Sequence, residues 1–195
     1  NVTEFNAKII AFAEENKIPY TLSRITAEDI KRLRESGVHA AVCAGYYYKI
    51  PVTEDFPIVN IHPSLLPLGR GSWPMPHAIL SGAEKSGVTI HKIAEGFDTG
   101  DILMQESFNL APDENLDTFM EKALGLLPDM LDRLVKDFDV LWHSAQKQGE
   151  GEYIAAQTEK DWTVTADMTA DNADRILRAF YGYECIYTGK DGNVT

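Results

Sequence analysis

The sequence predicts an α/β fold with a mostly parallel, twisted sheet and flanking helices. Three observations point there. Amphipathic stretches at helical spacing alternate with short apolar runs. Two of those runs, VHAAVCAGYY and FPIVNIH, are apolar almost throughout, as strands covered on both faces are. The second run ends in NIHPSLLPLGRG, a loop rich in proline and glycine at what would be a strand tip.

Each element follows from its residues. EFNAKIIAFAEEN repeats Phe5, Ile9, Ile10, Phe12 and Ala13 at helical spacing, and Asn16 closes it. IPYTL reads as a short strand. Thr26 caps a second helix, with Asp29 three residues on as its acidic first-turn partner and Gly37 as its stop. The two apolar strands come next, then the proline-rich loop and a helix near 76–82. GVTIHKIA and DILMQESFNL read as a hairpin through a glycine-bearing turn. A long helix covers about 115–147, carrying among others Leu116, Phe119, Ala123, Met130 and Leu134, and Pro128 is expected to kink or divide it. KQGEGE reads as a linker. An amphipathic helix is expected at about 171–181, with strand-like CIYTG after it.

The chain of 195 residues is 44% apolar, enough for one sizeable core. Its net charge of −12 argues against broad adhesion to nucleic acid or anionic membrane, although a local basic patch is compatible with it. No apolar run approaches the roughly 20 residues that span a bilayer, so no membrane partner is expected. Cys43 and Cys185 are far apart in sequence, which fits a reducing, cytoplasmic setting better than a disulfide framework. The chain opens on a helix where an open α/β domain ordinarily opens on a strand, so it is read as cut at both ends.

Side chains two apart on a strand share a face, so Asn60 and His62 emerge together at the tip of FPIVNIH. In parallel α/β sheets that edge is where ligands bind. Pro63 ends the ladder, and Pro67, Gly69 and Gly71 shape the loop beside it. Asp98, in the glycine turn EGFDTGD, is the natural third member. An amide and an imidazole that steady an oxyanion, with a carboxylate that orients the imidazole and takes a proton, suit acyl transfer to an amine. Ser64, Arg70 and Gly71, on the loop beside the tip, are candidates for substrate contact. Arg70 either meets an anionic group or is a solvated loop charge. Ser64 lacks the G-x-S-x-G elbow of a serine hydrolase. Trp73 either lines an acceptor pocket or covers the core. His91 reads as structural, and no third ligand stands at metal spacing from His62 and His91, so no metal is expected.

The string NIHPSLLPLGRG, followed by HAILSGAEKSGVTIHKIAEGFDTGDIL, resembles the formyltransferase family that uses 10-formyltetrahydrofolate. That family includes methionyl-tRNA, glycinamide ribonucleotide and nucleotide-sugar N-formyltransferases. The resemblance runs from about residue 4 to 150 and is dense over 58–106. It implies a Rossmann-like formyltransferase domain over 1–150 that lacks the first strand, helix and second strand, with 151–195 as linker and start of a C-terminal region. It implies Asn60, His62 and Asp98 as the catalytic set. It also implies a folate site formed by Tyr46, Tyr47, Tyr48, Ile50, Glu95, Gly96 and Phe97, the pterin being held mainly by backbone of the aspartate loop. DTGDIL and the segment DWTVTADMTADNADRILRAFYGY resemble the methionyl-tRNA and nucleotide-sugar branches more than the glycinamide branch. The expected acceptor is methionyl-tRNA, with an amino-sugar nucleotide as the alternative. A formyltetrahydrofolate hydrolase would use the same three residues, and a folate-binding module would keep the fold without catalysis.

Overall fold

A computed structural model describes residues 6–189 of the chain. They fall into two compact units, one within Asn1–Val38 with Tyr48–Pro51 and one within His39–Tyr47 with Val52–Thr195.

The first unit holds α1 (Ala7–Glu15) and α2 (Ala27–Glu35). In α1 only Ala13 is buried, and Ile9 and Phe12 of the expected apolar stripe are largely exposed. Phe5 lies outside the described residues. Thr26 and Asp29 form the expected capping box of α2, each side chain bonding the other's backbone N–H. Gly37 follows with φ +86, the left-handed conformation that ends a helix at little cost to glycine. IPYTL is not a strand: its residues are irregular, and Ile18, Tyr20 and Leu22 are each about half exposed. With no partner strand beside it among the described residues, strand propensity alone does not make a ladder.

The second unit is built on a four-stranded sheet in the order β1 (Ala41–Ala44), β2 (Ile58–His62), β4 (Lys85–Lys92), β5 (Ile102–Asn109). β1 and β2 are parallel, while β2–β4 and β4–β5 are antiparallel. The sheet is therefore mixed where the sequence suggested mostly parallel pairing. Part of the reason is the short link from β4 to β5, residues 93–101, less than the roughly dozen residues that a parallel crossover needs. The return from β2 to β4 holds β3 (Arg70–Gly71) and α3 (Pro74–Leu80) and brings β4 back antiparallel to β2. β1 stands at one edge among the described strands, and Val42 is half exposed, so that apolar run is not doubly covered. α3 begins two residues earlier than expected, because Pro74 takes the first helical position, where its missing N–H costs nothing.

Alternation gives the sheet two different faces. Val59, Ile61, Val88, Ile90 and Met104 point one way and enter the core. α4 (Leu116–Lys136) covers that face through Phe119, Ala123, Met130 and Leu134. Pro128 does not divide this 21-residue helix. It sits on the exposed side, where water can satisfy the carbonyl that loses its partner. The break falls instead at Asp137, before α5 (Phe138–His143). Residues beyond 143 fold back onto the sheet. Gln146 bridges to Ile102, and β6 (Tyr153–Ile154) pairs in parallel with β3. A 3₁₀ turn (Glu159–Trp162) leads to β7 (Thr163–Thr165), which pairs with β8 (Ile186–Thr188), the expected CIYTG strand. Between them, α6 (Ala170–Ala179) sends Ile176 and Ala179 into the same core as Val59 and Phe119, with Phe180 just beyond its end.

Candidate active site

The other face of the sheet is polar. Asn60 lies opposite His91, and His62 opposite Thr89, which in turn lies opposite Gln105. Five polar side chains on one sheet face need partners, and the proline-rich loop supplies them. Thr89 donates to the Ser64 carbonyl at 2.6 Å and accepts from the Leu66 N–H at 3.2 Å. Gln105 donates to the Leu66 carbonyl at 2.6 Å and to the Thr89 hydroxyl. Ser64 is buried and spends its hydroxyl on the Leu68 carbonyl at 2.8 Å. The loop is thus fastened to the polar face, and His62 adds a bond from Nε2 to the Gly69 carbonyl at 2.7 Å.

β4 ends beside Val59, away from the tip of β2, yet the turn after it folds back over the polar face. Asp98 arrives there with φ +54, a left-handed conformation uncommon outside glycine, asparagine and aspartate. Its Oδ2 accepts the Gly71 N–H at 2.9 Å. Its Oδ1 lies 3.4 Å from Asn60 Nδ2, 3.5 Å from His91 Nε2 and 3.7 Å from His62 Nδ1. Asn60 Nδ2 also stands 3.2 Å from His91 Nε2. Asn60, His62 and Asp98 therefore converge. Gly71 has no room for a side chain, since a Cβ would fall 2.4 Å from the Ile154 carbonyl oxygen.

Partner chemistry fixes the imidazoles. A carbonyl oxygen only accepts, so His62 Nε2 carries a proton for Gly69, and His91 Nδ1 carries one for the Lys92 carbonyl at 2.8 Å. In its neutral form His62 turns the Nδ1 lone pair toward Asp98, and His91 Nε2 faces both the Asn60 amide and the Asp98 carboxylate. Burial pushes His62 below the ordinary histidine value, against the pull of Asp98. Burial works to raise Asp98, but the hydrogen-bonding contact with His91, the nearby His62 ring and the Gly71 N–H outweigh it. The carboxyl ends below its usual range. At neutral pH the pair is a carboxylate facing a neutral ring. Burial also raises the thiol of Cys43, the neighbour of Asn60 on β1.

A stability test follows from His62. Its folded value lies below its unfolded value of about 6.5, so between the two the unfolded chain binds the extra proton. Stability is complete above that window and falls as pH drops through it. Asp98 has the depressed carboxylate's sign, and its contribution is lost only at lower pH. Urea titrations should show a less stable protein at pH 5.5 than at 7.5. His62→Gln should reduce that difference, and an unchanged difference would refute the buried neutral ring.

Other candidates lie as follows. Arg70 donates through Nε and Nη2 to Gln148 Oε1 at 3.0 and 2.8 Å, and through Nη2 to the Gly149 carbonyl. Glu95, Gly96 and Phe97 are exposed beside Asp98. Tyr46 is half-buried and Tyr47 largely exposed, both in the unit that contains the sheet. Tyr48 and Ile50 belong to the other unit, Tyr48 with the Arg24 guanidinium over its ring and Ile50 buried. Trp73 covers the core, edge-on to Phe180 and Tyr183. Sequence reasoning left out Thr89, His91 and Gln105 from the site. Thr89 and His91 carry the same two-residue spacing as Asn60 and His62, which is the signal that reveals them. Gln148, which donates to the carbonyls of Asp98 and Gly100, has no such local signal.

Fold and site together describe a Rossmann-like α/β domain with an amide, two imidazoles and a carboxylate gathered on one sheet face. The family described as Formyl transferase matches residues 4–133, and the chain belongs to that family. Methionyl-tRNA formyltransferase of Ehrlichia ruminantium (strain Gardel) is 34% identical over 167 residues, 84% of this chain and 54% of that relative. The enzyme of that name from Syntrophomonas wolfei is 34% identical over 188 residues, 91% of this chain and 59% of that relative. The chain thus spans little more than half the length of these curated relatives. Among solved structures, a 4-N formyltransferase from Francisella tularensis aligns with a TM-score of 0.76 at 22% identity, over 99% of this chain and 80% of that one. HypX from Aquifex aeolicus in complex with tetrahydrofolic acid aligns with a TM-score of 0.72 at 15% identity, over 82% of this chain and 29% of that one. These structural likenesses show the fold. Among the described residues, no helix is long and apolar enough to cross a membrane.

Proposed function

We propose that this chain is the catalytic part of an enzyme that moves a formyl group from 10-formyltetrahydrofolate to a primary amine. The convergence of Asn60, His62 and His91 on the Asp98 carboxylate carries this reading. The folate derivative would supply the formyl carbon and leave as tetrahydrofolate. Its pterin needs a flat apolar surface and backbone donors and acceptors, and the exposed Phe97 ring with the Gly96 backbone beside Asp98 fits that need.

The residues then divide the work. Asp98, ionised and flanked by a neutral ring, accepts the proton that the amine sheds as its nitrogen bonds to the formyl carbon. That proton passes to the leaving nitrogen, so charge and atoms balance. His62, braced by Gly69, shares the proton through Nδ1. Asn60 turns an amide hydrogen toward the oxygen that gains charge. His91 fixes which way that amide faces. Residues 1–150 form the catalytic domain in this reading, and 151–195 lead into a C-terminal region.

The preferred acceptor is methionyl-tRNA. Two relatives at 34% identity carry that name, and they cover most of this chain. Binding to a long polyanion releases many counterions, whereas a nucleotide sugar presents only a diphosphate. The full-length protein is expected to formylate methionyl-tRNA and to bind it with a steep log–log salt dependence. Turnover of an amino-sugar nucleotide, with tRNA binding absent or flat in salt, would assign the alternative acceptor.

A further inference from the structure

The turn that carries Asp98 is held by a residue far away in sequence. Gln148 lies in the stretch that first reads as a linker. Its Nε2 donates to the Asp98 carbonyl at 2.9 Å and to the Gly100 carbonyl at 2.6 Å. Its Oε1 accepts twice from Arg70, at 3.0 and 2.8 Å, and Arg70 reaches on to the Gly149 carbonyl at 2.9 Å. A primary amide has two donor hydrogens and two acceptor lone pairs, so Gln148 uses its full capacity. The bonds hold the carbonyl of the left-handed residue itself and that of the glycine two positions on, and such a conformation has to be imposed from outside. Arg70 and Gly71 are adjacent. One end of β3 braces Gln148 while the other donates its N–H to the Asp98 carboxylate.

We propose that Gln148 and Arg70 are positioning residues that clamp the Asp98 turn and set where its carboxylate stands. This rests on the catalytic reading of Asp98. The clamp gives Arg70 a task inside the protein, engaging its Nε and Nη2 donors with Gln148 and Gly149. It also makes the Asp98 turn sensitive to the 146–154 segment, because Gln146, Gln148 and β6 hold that segment against the sheet and the loop. Whatever follows residue 150 therefore has a mechanical route to the carboxylate.

The test is a double-mutant cycle in formyl transfer by the full-length protein. Gln148→Ala in the otherwise natural sequence should lower kcat about 10–100-fold, the scale expected when a reacting group is displaced by about 1 Å. In an Asp98→Asn background the same change should cost less than about threefold, because Gln148 has nothing left to position. Equal losses in both backgrounds, or no loss in the first, would overturn the clamp alone. Full activity of Asp98→Asn by itself would overturn the catalytic reading and the clamp with it. Gln148→Glu guards against misfolding, since a carboxylate keeps the Arg70 pair yet cannot donate to the two carbonyls. It places a negative charge beside Asp98, so the acid limb of the kcat/KM profile should move to higher pH. A limb that stays in place, with kcat reduced, would mean that Gln148 serves only stability.

Discussion

Asp98→Asn should lower kcat/KM for formyl transfer by about 10²–10⁴-fold, the usual range for losing a proton acceptor or a preorganised charge. The substitution isolates the charge. Asparagine tolerates the left-handed conformation seen at φ +54 as readily as aspartate does. Its side-chain oxygen can still accept the Gly71 N–H, so the turn keeps its anchor. It cannot take a proton from the amine. Folate affinity should stay within several-fold, because the pterin is assigned to the backbone and to Phe97. Single-turnover rates and an equilibrium titration with tetrahydrofolate separate the two effects. Unchanged turnover would remove Asp98 from the mechanism, and a large loss of affinity would move it into the folate site.

The second large effect concerns stability. Phe119 is fully buried and meets Phe108 edge-on, with ring centroids 5.1 Å apart. It lies under the apolar face of β4 and β5, the same strands whose opposite face carries His91, Thr89 and Gln105. Phe119→Ala should cost about 3–5 kcal/mol in a urea titration, combining lost burial with the cavity left behind. Many domains have only about 5–15 kcal/mol in total, so the variant should be marginal at 37 °C. A cost below about 1 kcal/mol would mean that α4 does not anchor the sheet.

Much of this was legible in the sequence. The capping box at Thr26, the β4–β5 hairpin and the CIYTG strand follow from rules that act over a few residues, and the meeting of Asn60, His62 and Asp98 from strand-tip spacing, the glycine turn and the family resemblance. What was not legible depends on distant chain. The sheet is mixed partly because β4 returns antiparallel to β2, and no residue announces that. IPYTL has strand propensity but no partner strand among the described residues. Pro128 breaks nothing because its side of the helix faces water, a fact of burial rather than of proline. Arg70 looks like a charge awaiting a substrate until Gln148, 78 positions away, is seen across from it. Thr89 and His91 could have been read locally, by setting their two-residue spacing beside that of Asn60 and His62.

The central claim is that the Asp98 cluster passes a formyl group to an amine. The most direct measurement follows the labelled formyl carbon of 10-formyltetrahydrofolate in the presence and absence of methionyl-tRNA, using the full-length protein. The account predicts that label appears on the methionine nitrogen, that folate is consumed in proportion to the amine supplied, and that Asp98→Asn suppresses both. Label released as free formate at the same rate with or without any amine would contradict it and make the protein a hydrolase. Folate bound but never consumed would leave it a binding module.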